Sequence, residues 1–144
     1  SYNVSNEKIL IARAVPLVLK KLAIRSVYTS AALANTSTIT NIGNMKVAAD
    51  CGKDCHIVDE HNYIYLLSEA DGIHIIRKDS QYGRYVSIIP MSENVSLSLE
   101  GFKYTLDNYE LKQGLSICQS NEVEDEQGII KVHKGLIIVL ETKD

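Results

Sequence analysis

Six side chains able to bind a metal or move a proton fall within eleven residues: Cys51, Cys55, His56, Asp59, Glu60 and His61. Zinc takes thiolate, imidazole or carboxylate donors at tetrahedral geometry, and a short loop can supply several of them. A structural zinc site, however, normally draws on two ligand pairs well separated in sequence. This stretch supplies one pair, so Cys118 or His133 would have to close the site from a distant strand. The expectation is a polar surface loop that binds no metal, with Cys51, Cys55, His56 and His61 as the candidate ligands if one is bound. Nucleophilic catalysis needs a Cys or Ser, a base and an orienting group brought together by the fold. Cys55 or Cys118 could pair with His56, His61 or His74, but no nucleophile elbow or other local signature accompanies them. No catalytic residue is assigned.

Other site chemistries are weaker still. Asp59, Glu60 and Asp71 fall at turns, where acidic residues serve turn geometry and solvation. No glycine-rich loop lies between a strand and a helix, so no phosphate cradle and no cofactor are expected. Tyr63, Tyr65, Tyr82, Tyr85 and Tyr104 could stack bases on a sheet face. The acidic balance of residues 35–144 opposes that, and cross-strand packing is the simpler role.

Composition narrows the class. A chain of 144 residues, 45% hydrophobic and 23% charged, is large enough to bury a core as one domain. Its net charge of −3 argues against nucleic acid as a partner. Charge is unevenly spread: residues 1–34 hold Glu7 against Lys8, Arg13, Lys20, Lys21 and Arg25, and the remainder is strongly acidic. Three cysteines cannot all pair within one chain, which favours a reducing, cytoplasmic setting, although a Cys51–Cys55 loop with Cys118 buried stays open. Charges at 13, 20, 21 and 25 break residues 9–25, so no apolar run reaches the ~20 residues that span a bilayer.

The elements follow from periodicity. Residues 8–34 read as a helix capped by Ser5 or Asn6, with Asn35 at its end. Pro16 either kinks this helix or begins it, in which case KILIARAV is a strand. One helical face gathers Ile11, Val15, Val18, Leu19, Leu22 and Ala23 for the core. The opposite side carries a stripe of Leu10, Leu17, Ile24 and Tyr28, rimmed by Arg13, Lys20, Lys21 and Arg25, at the spacing of a helix–helix seam.

Beyond residue 35 the pattern turns to strands. Thr36–Thr40 and Met45–Ala49 flank Asn41-Ile-Gly-Asn44 and predict a hairpin. Asn62–Leu67, a SEADG turn and Gly72–Lys78 predict a second, with Gly72 at positive φ. Strands are expected at Arg84–Ile89, Val95–Glu100, Phe102–Leu106 and Leu115–Gln119. Residues 120–127 read as an acidic loop, and a last hairpin joins Gly128–His133 to Leu136–Glu141 across Lys134-Gly135. The predicted fold class is α+β: one domain over 1–144, an N-terminal helix packed on an antiparallel, twisted sheet or small, partly closed barrel or sandwich.

Two segments resemble known proteins. RAVPLVLKKLAIRSVYTS followed by TSTITNIGNMKV is similar, over residues 12–48, to a late helix–strand segment of chloramphenicol-acetyltransferase-like proteins, such as alcohol acetyltransferases and condensation domains. There the strand carries a Ser/Thr-Asn-x-Gly turn, here Thr40-Asn41-Ile42-Gly43. The family's His-His-x-x-x-Asp motif is absent and residues 70–144 depart from its pattern. The resemblance therefore implies at most a fragment or an inactive relative, and no catalytic residue carries over. NYIYLLSEADGIHII resembles a β-propeller blade hairpin, but it occurs once and cannot close a propeller.

By elimination, the sequence is read as a non-enzymatic binding or assembly domain. It would meet a protein partner or a second copy of itself through Leu10, Arg13, Leu17, Lys20, Lys21, Ile24, Arg25 and Tyr28, or through a sheet face. The competing reading is an enzyme, or an inactive acyltransferase-like fragment, with chemistry near Cys55, His56 and His61.

Overall fold

The structure, a computed structural model, describes residues 26–30, 36–52, 54–58, 60–114 and 117–143. It divides into two compact units, Ser1–Glu60 and His61–Asp144. The described part is mostly antiparallel sheet with one helix, an α+β fold.

In the first unit, strand β1 (Ser26–Ser30) and strand β2 (Asp54–Val58) run parallel, with Ser26 opposite Asp54 and Ser30 opposite Val58. Parallel neighbours need a long crossover, and helix α1 (Thr36–Asp50) supplies it. Two expectations fail here. The helix read over 8–34 does not reach Tyr28, because Val27, Tyr28 and Thr29 are strand formers and pair along β2. The hairpin read over 36–49 is one continuous helix. Its Thr, Ile and Gly43 content is poor for a helix, but Met45 and Ala48, one turn apart, are both fully buried, so packing outweighs propensity. The part of the predicted helix at 8–25 lies outside the described residues.

Among its described residues the second unit holds eight strands: β3 (Asn62–Ser68), β4 (Ile73–Arg77), β5 (Tyr85–Pro90), β6 (Val95–Glu100), β7 (Leu106–Leu111), β8 (Asn121–Glu122), β9 (Gln127–Lys134) and β10 (Leu136–Thr142). They form two sheets, ordered β3-β10-β5-β8 and β4-β9-β6-β7. Neither order returns on itself, so the described residues form no closed barrel.

The two predicted hairpins over 62–78 and 128–141 are not hairpins. Strands β3 and β4 lie in different sheets, and so do β9 and β10. Instead β3 pairs with β10 while β4 pairs with β9; likewise β5 pairs with β10 while β6 pairs with β9. Three long bent ribbons, β3–β4, β9–β10 and β5–β6, thus lie side by side, each crossing from one sheet to the other, with β9–β10 in the middle. Alternation of apolar residues showed the strands but could not show that the turn between them folds over the core rather than back along the same sheet. The SEADG segment is a single turn of 3₁₀ helix at Glu69–Asp71, capped by the Ser68 side chain and closed by Gly72 at φ 67°.

Bending the ribbons places the alternate apolar residues of both sheets in one core. Tyr65, Leu67, Val86, Ile88, Ile137 and Val139 from one sheet meet Ile76, Leu97, Leu99, Ile130, Val132 and Leu111 from the other. The remaining strand expectations held at Val95–Glu100 and shifted elsewhere. Phe102 makes only an isolated bridge to Val123, and residues 117–120 form turns.

The central bend rests on Gly135, at φ 90°, where an added Cβ would come within 2.7 Å of Ser92 Oγ and 2.8 Å of the Asn94 carbonyl oxygen. Gly135→Ala is expected to cost about 2 kcal/mol or more, since both backbone strain and a clash fall on one residue. Thermal unfolding measures this; a variant as stable as the parent would show that the bend tolerates a side chain.

Candidate functional site

The residues singled out by type do not converge. Cys51 follows the end of α1, while Cys55 and His56 alternate on β2, Cys55 buried and His56 half-buried. Burial pushes the Cys55 thiol up to about 11 and lowers the His56 imidazole, the latter opposed by the Asp54 carboxylate. A thiol held that high is protonated at neutral pH and is a poor nucleophile. Cys118 is also buried, with its thiol at about 11, and all three cysteines are unpaired. Asp59 lies outside the described residues. Among the described residues no three Cys, His, Asp or Glu side chains are grouped to hold a metal. Of the helix stripe, Leu10, Arg13, Leu17, Lys20, Lys21, Ile24 and Arg25 lie outside the described residues, and Tyr28 is on β1.

What the fold does bring together is polar groups at two places in the second unit. At one end of the core, Glu141 on β10 is buried, 5% exposed. Its Oε2 accepts the Tyr65 hydroxyl at 2.9 Å and its Oε1 accepts the Tyr82 amide at 3.2 Å. Tyr65 has one proton, committed to Glu141, so His74 Nε2 donates to the phenol oxygen at 2.9 Å. Burial raises the Glu141 carboxyl above its ordinary range, with the two hydrogen bonds opposing. The same burial, then the Glu141 charge, push the Tyr65 phenol far up. The rings of Tyr63 and Tyr82 and the Lys143 ammonium close this end. Tyr65 on β3 and His74 on β4 stand on the two arms of one bent ribbon, so this network ties the bend.

The second place is at the β5–β8 edge. Tyr104 is 57% exposed, yet its backbone is fixed. Asn121, buried at 4%, accepts the Tyr104 amide at 3.0 Å and donates from its side-chain nitrogen to the Tyr104 carbonyl at 2.8 Å. The chain reaches Tyr104 through Gly101 at φ 74°, where a Cβ would strike the Gln127 carbonyl oxygen and whose own carbonyl accepts the amides of Glu124 and Asp125. The Lys103 ammonium lies 5.7 Å from the ring centroid and 3.9 Å from Glu122, which also pairs with Arg84 at 3.0 Å. An aromatic face that already attracts a cation suits a planar cationic ligand. The sequence offered Tyr65 and Tyr104 only as possible base-stacking residues and His74 as a possible partner of a cysteine, and it did not show either grouping. Asn121 and Glu122 sat in a stretch read as an acidic loop, and Tyr104 in a stretch read as strand.

The second unit is thus an antiparallel two-sheet sandwich presenting an exposed aromatic ring from a rigid polar latch. Residues 73–137 match the family described as thiamin pyrophosphokinase, vitamin B1 binding domain. Over 89 residues the chain is 36% identical to the thiamine pyrophosphokinase of Bacillus subtilis strain 168, covering 61% of this chain and 40% of that relative. The crystal structure of the Bacillus subtilis thiamine pyrophosphokinase superposes with a TM-score of 0.79 at 28% identity, covering 91% of this chain and 61% of that one. The thiamin pyrophosphokinase of Geobacillus thermodenitrificans superposes at 0.71 and 25% identity, over 86% of this chain and 57% of that one. Yeast thiamin pyrophosphokinase shares the fold, with a TM-score of 0.64 at 14% identity. The chain spans less than half the length of the curated relative it matches.

These likenesses correct three expectations. The acyltransferase-like resemblance fails, since Thr40-Asn41-Ile42-Gly43 lies inside α1 rather than at a strand turn and the relatives are pyrophosphokinases. The reading as a non-enzymatic binding or assembly domain fails as well, because the relatives are enzymes. The competing acyltransferase-like chemistry near Cys55, His56 and His61 has no support from them, and the protonated Cys55 offers none.

Two outcomes test this description. Cys55 and Cys118 are expected to react with a thiol reagent at least about tenfold more slowly in the native chain than after unfolding; equal rates would contradict their burial. Glu141, with its native carboxyl raised above the unfolded value, contributes stability that is complete below the ordinary glutamate range and is lost as pH climbs through the native value. Denaturant unfolding at stepped pH should show that loss in the parent and not in Glu141→Gln; matching profiles would remove Glu141 as the cause.

Proposed function

We propose that this chain supplies the thiamine-binding part of a thiamine pyrophosphokinase, an enzyme that moves a pyrophosphoryl group onto the hydroxyl of thiamine. The observation that carries the reading is the match of residues 73–137 to the vitamin B1 binding domain, because that stretch contains the exposed Tyr104 and its Asn121 latch. The likeness to the Bacillus subtilis enzyme in both sequence and structure supports the same activity.

Thiamine joins a neutral aminopyrimidine to a positively charged thiazolium. Tyr104 offers an aromatic face to either ring, and Lys103, the cation over that face, has the Glu122 carboxylate as an alternative partner. On binding, the ligand's cation would replace Lys103 over the ring, so the site exchanges one cation–π contact for another that also buries apolar area. The latch matters because a side chain that is fixed before binding loses little freedom on binding. The acceptor hydroxyl would then be held for attack on a phosphate donor, and orientation alone can supply a large share of such a rate enhancement.

Isothermal titration of the whole chain with thiamine should show saturable binding. Tyr104→Ala should weaken it by about tenfold, the size of a 1.4 kcal/mol contact, without changing the melting temperature. A chain that shows no saturable binding of thiamine, or a Tyr104→Ala variant that binds as the parent does, would contradict this assignment.

A further inference from the structure

A different face of the second unit carries a site that the thiamine reading does not use. On strand β6, Ser98 stands between two β-bulges, one in each neighbouring strand. Toward β9, Leu97 pairs with Val132 and Ser96 with Lys134, which leaves His133 as the extra residue. Toward β7, Leu97 pairs with Tyr109 and Leu99 with Leu106, so Asp107 and Asn108 together oppose Ser98. Asn108 takes φ 41°, a left-handed conformation that asparagine adopts more readily than most non-glycine residues. Both bulges are held by the same hydroxyl: Ser98 Oγ lies 2.7 Å from His133 Nε2 and accepts the Asn108 amide at 2.8 Å. Bulges re-aim side chains and concentrate beside functional sites.

Beside them lies an open depression of about 300 Å³, lined by Asn94, Val95, Ser96, the bulge residue Asn108, Glu110 and Lys134. Ser96 pairs in register with Glu110 on one side and Lys134 on the other. With strands ~4.8 Å apart, a carboxylate and an ammonium therefore rise from backbones ~10 Å apart, with a hydroxyl between them. Neither charge has an ion-pair partner among the described residues. Across β9, β6 and β7 the depression runs from basic through hydroxyl to acidic, and Lys131, opposite Ser98, extends the basic side. The amides of Asn94 and Asn108 add donors and acceptors along its rim.

We propose that this depression is a second ligand site, for a small zwitterion whose ammonium and oxyanion groups lie a few bonds apart. The oxyanion meets Lys134, the ammonium meets Glu110, and the Ser96 hydroxyl between them reads the middle. A singly charged molecule of the same size satisfies one end and leaves the other charge exposed to water, so it binds more weakly.

The test uses 4-aminobutyrate as the zwitterion, with butyrate and butylammonium as singly charged controls, and follows the Asn94 and Asn108 side-chain amides by NMR. Saturable shifts at both amides are expected, with an affinity about tenfold above that of either control. Glu110→Gln and Lys134→Gln are each expected to lower 4-aminobutyrate affinity by about tenfold while leaving thiamine binding unchanged. Both positions are exposed, and an otherwise unchanged amide spectrum confirms that each variant is folded. No saturable shift in the parent, controls that bind as tightly, or variants that bind unchanged would each overturn the proposal. Thiamine binding measured on the same samples keeps this outcome separate from the fate of the pyrophosphokinase reading.

Discussion

One paired ribbon fixes the second unit. Strands β9 and β10 hydrogen-bond to two other ribbons, one on each side, and they do so in both sheets. Because a single residue, Gly135, separates β9 from β10, the chain must turn over the core there, and the two flanking ribbons must turn at matching heights. Everything apolar in the core depends on that agreement. Alternate residues of both arms point inward only if each bend preserves the register, and a one-residue slip would exchange the buried and exposed sets. The Tyr65–Glu141–His74 network ties the two arms of one flanking ribbon together, at the expense of burying a carboxyl that must stay hydrogen-bonded.

This explains how much of the molecule was legible beforehand. The fold class and most of the strands in residues 62–142 were readable, because half-buried strands carry a period of two that survives whatever their partners are. Partners were not readable. A turn with Gly72 or Gly135 at positive φ looks the same whether it returns along one sheet or crosses to another; distant pairings decide which. The helix α1 was misread for a related reason: Thr36–Asp50 has β-rich composition, and only the need to join two parallel strands and bury Met45 and Ala48 makes it helical. The functional groups were the least legible. Cys51, Cys55, His56 and His61 attracted attention by type, yet Cys55 is a buried, protonated thiol. Asn121 and Ser98 are ordinary residues in sequence and acquire roles only from what the fold sets beside them.

The same ribbons place both proposed ligand sites. Gly101, directly after β6, turns the chain toward Tyr104, and Asn121 at β8 holds it, so the exposed ring sits on the sheet edge rather than on a free loop. The bulges held by the Ser98 hydroxyl disturb the middle of the other sheet without breaking its pairing. Each surface joins a rigid backbone to a few convergent polar groups, the general pattern of small-molecule sites. The match of residues 73–137 to a family described as a vitamin B1 binding domain is what supports the proposed reading of the Tyr104 surface.

The central claim, that the latched Tyr104 receives thiamine, is tested most directly by structure rather than affinity. A crystal structure of the chain soaked with thiamine should show one of its rings stacked on Tyr104, with the Asn121 hydrogen bonds intact. Thiamine ordered elsewhere on the chain, with the Tyr104 face bare, would contradict the account.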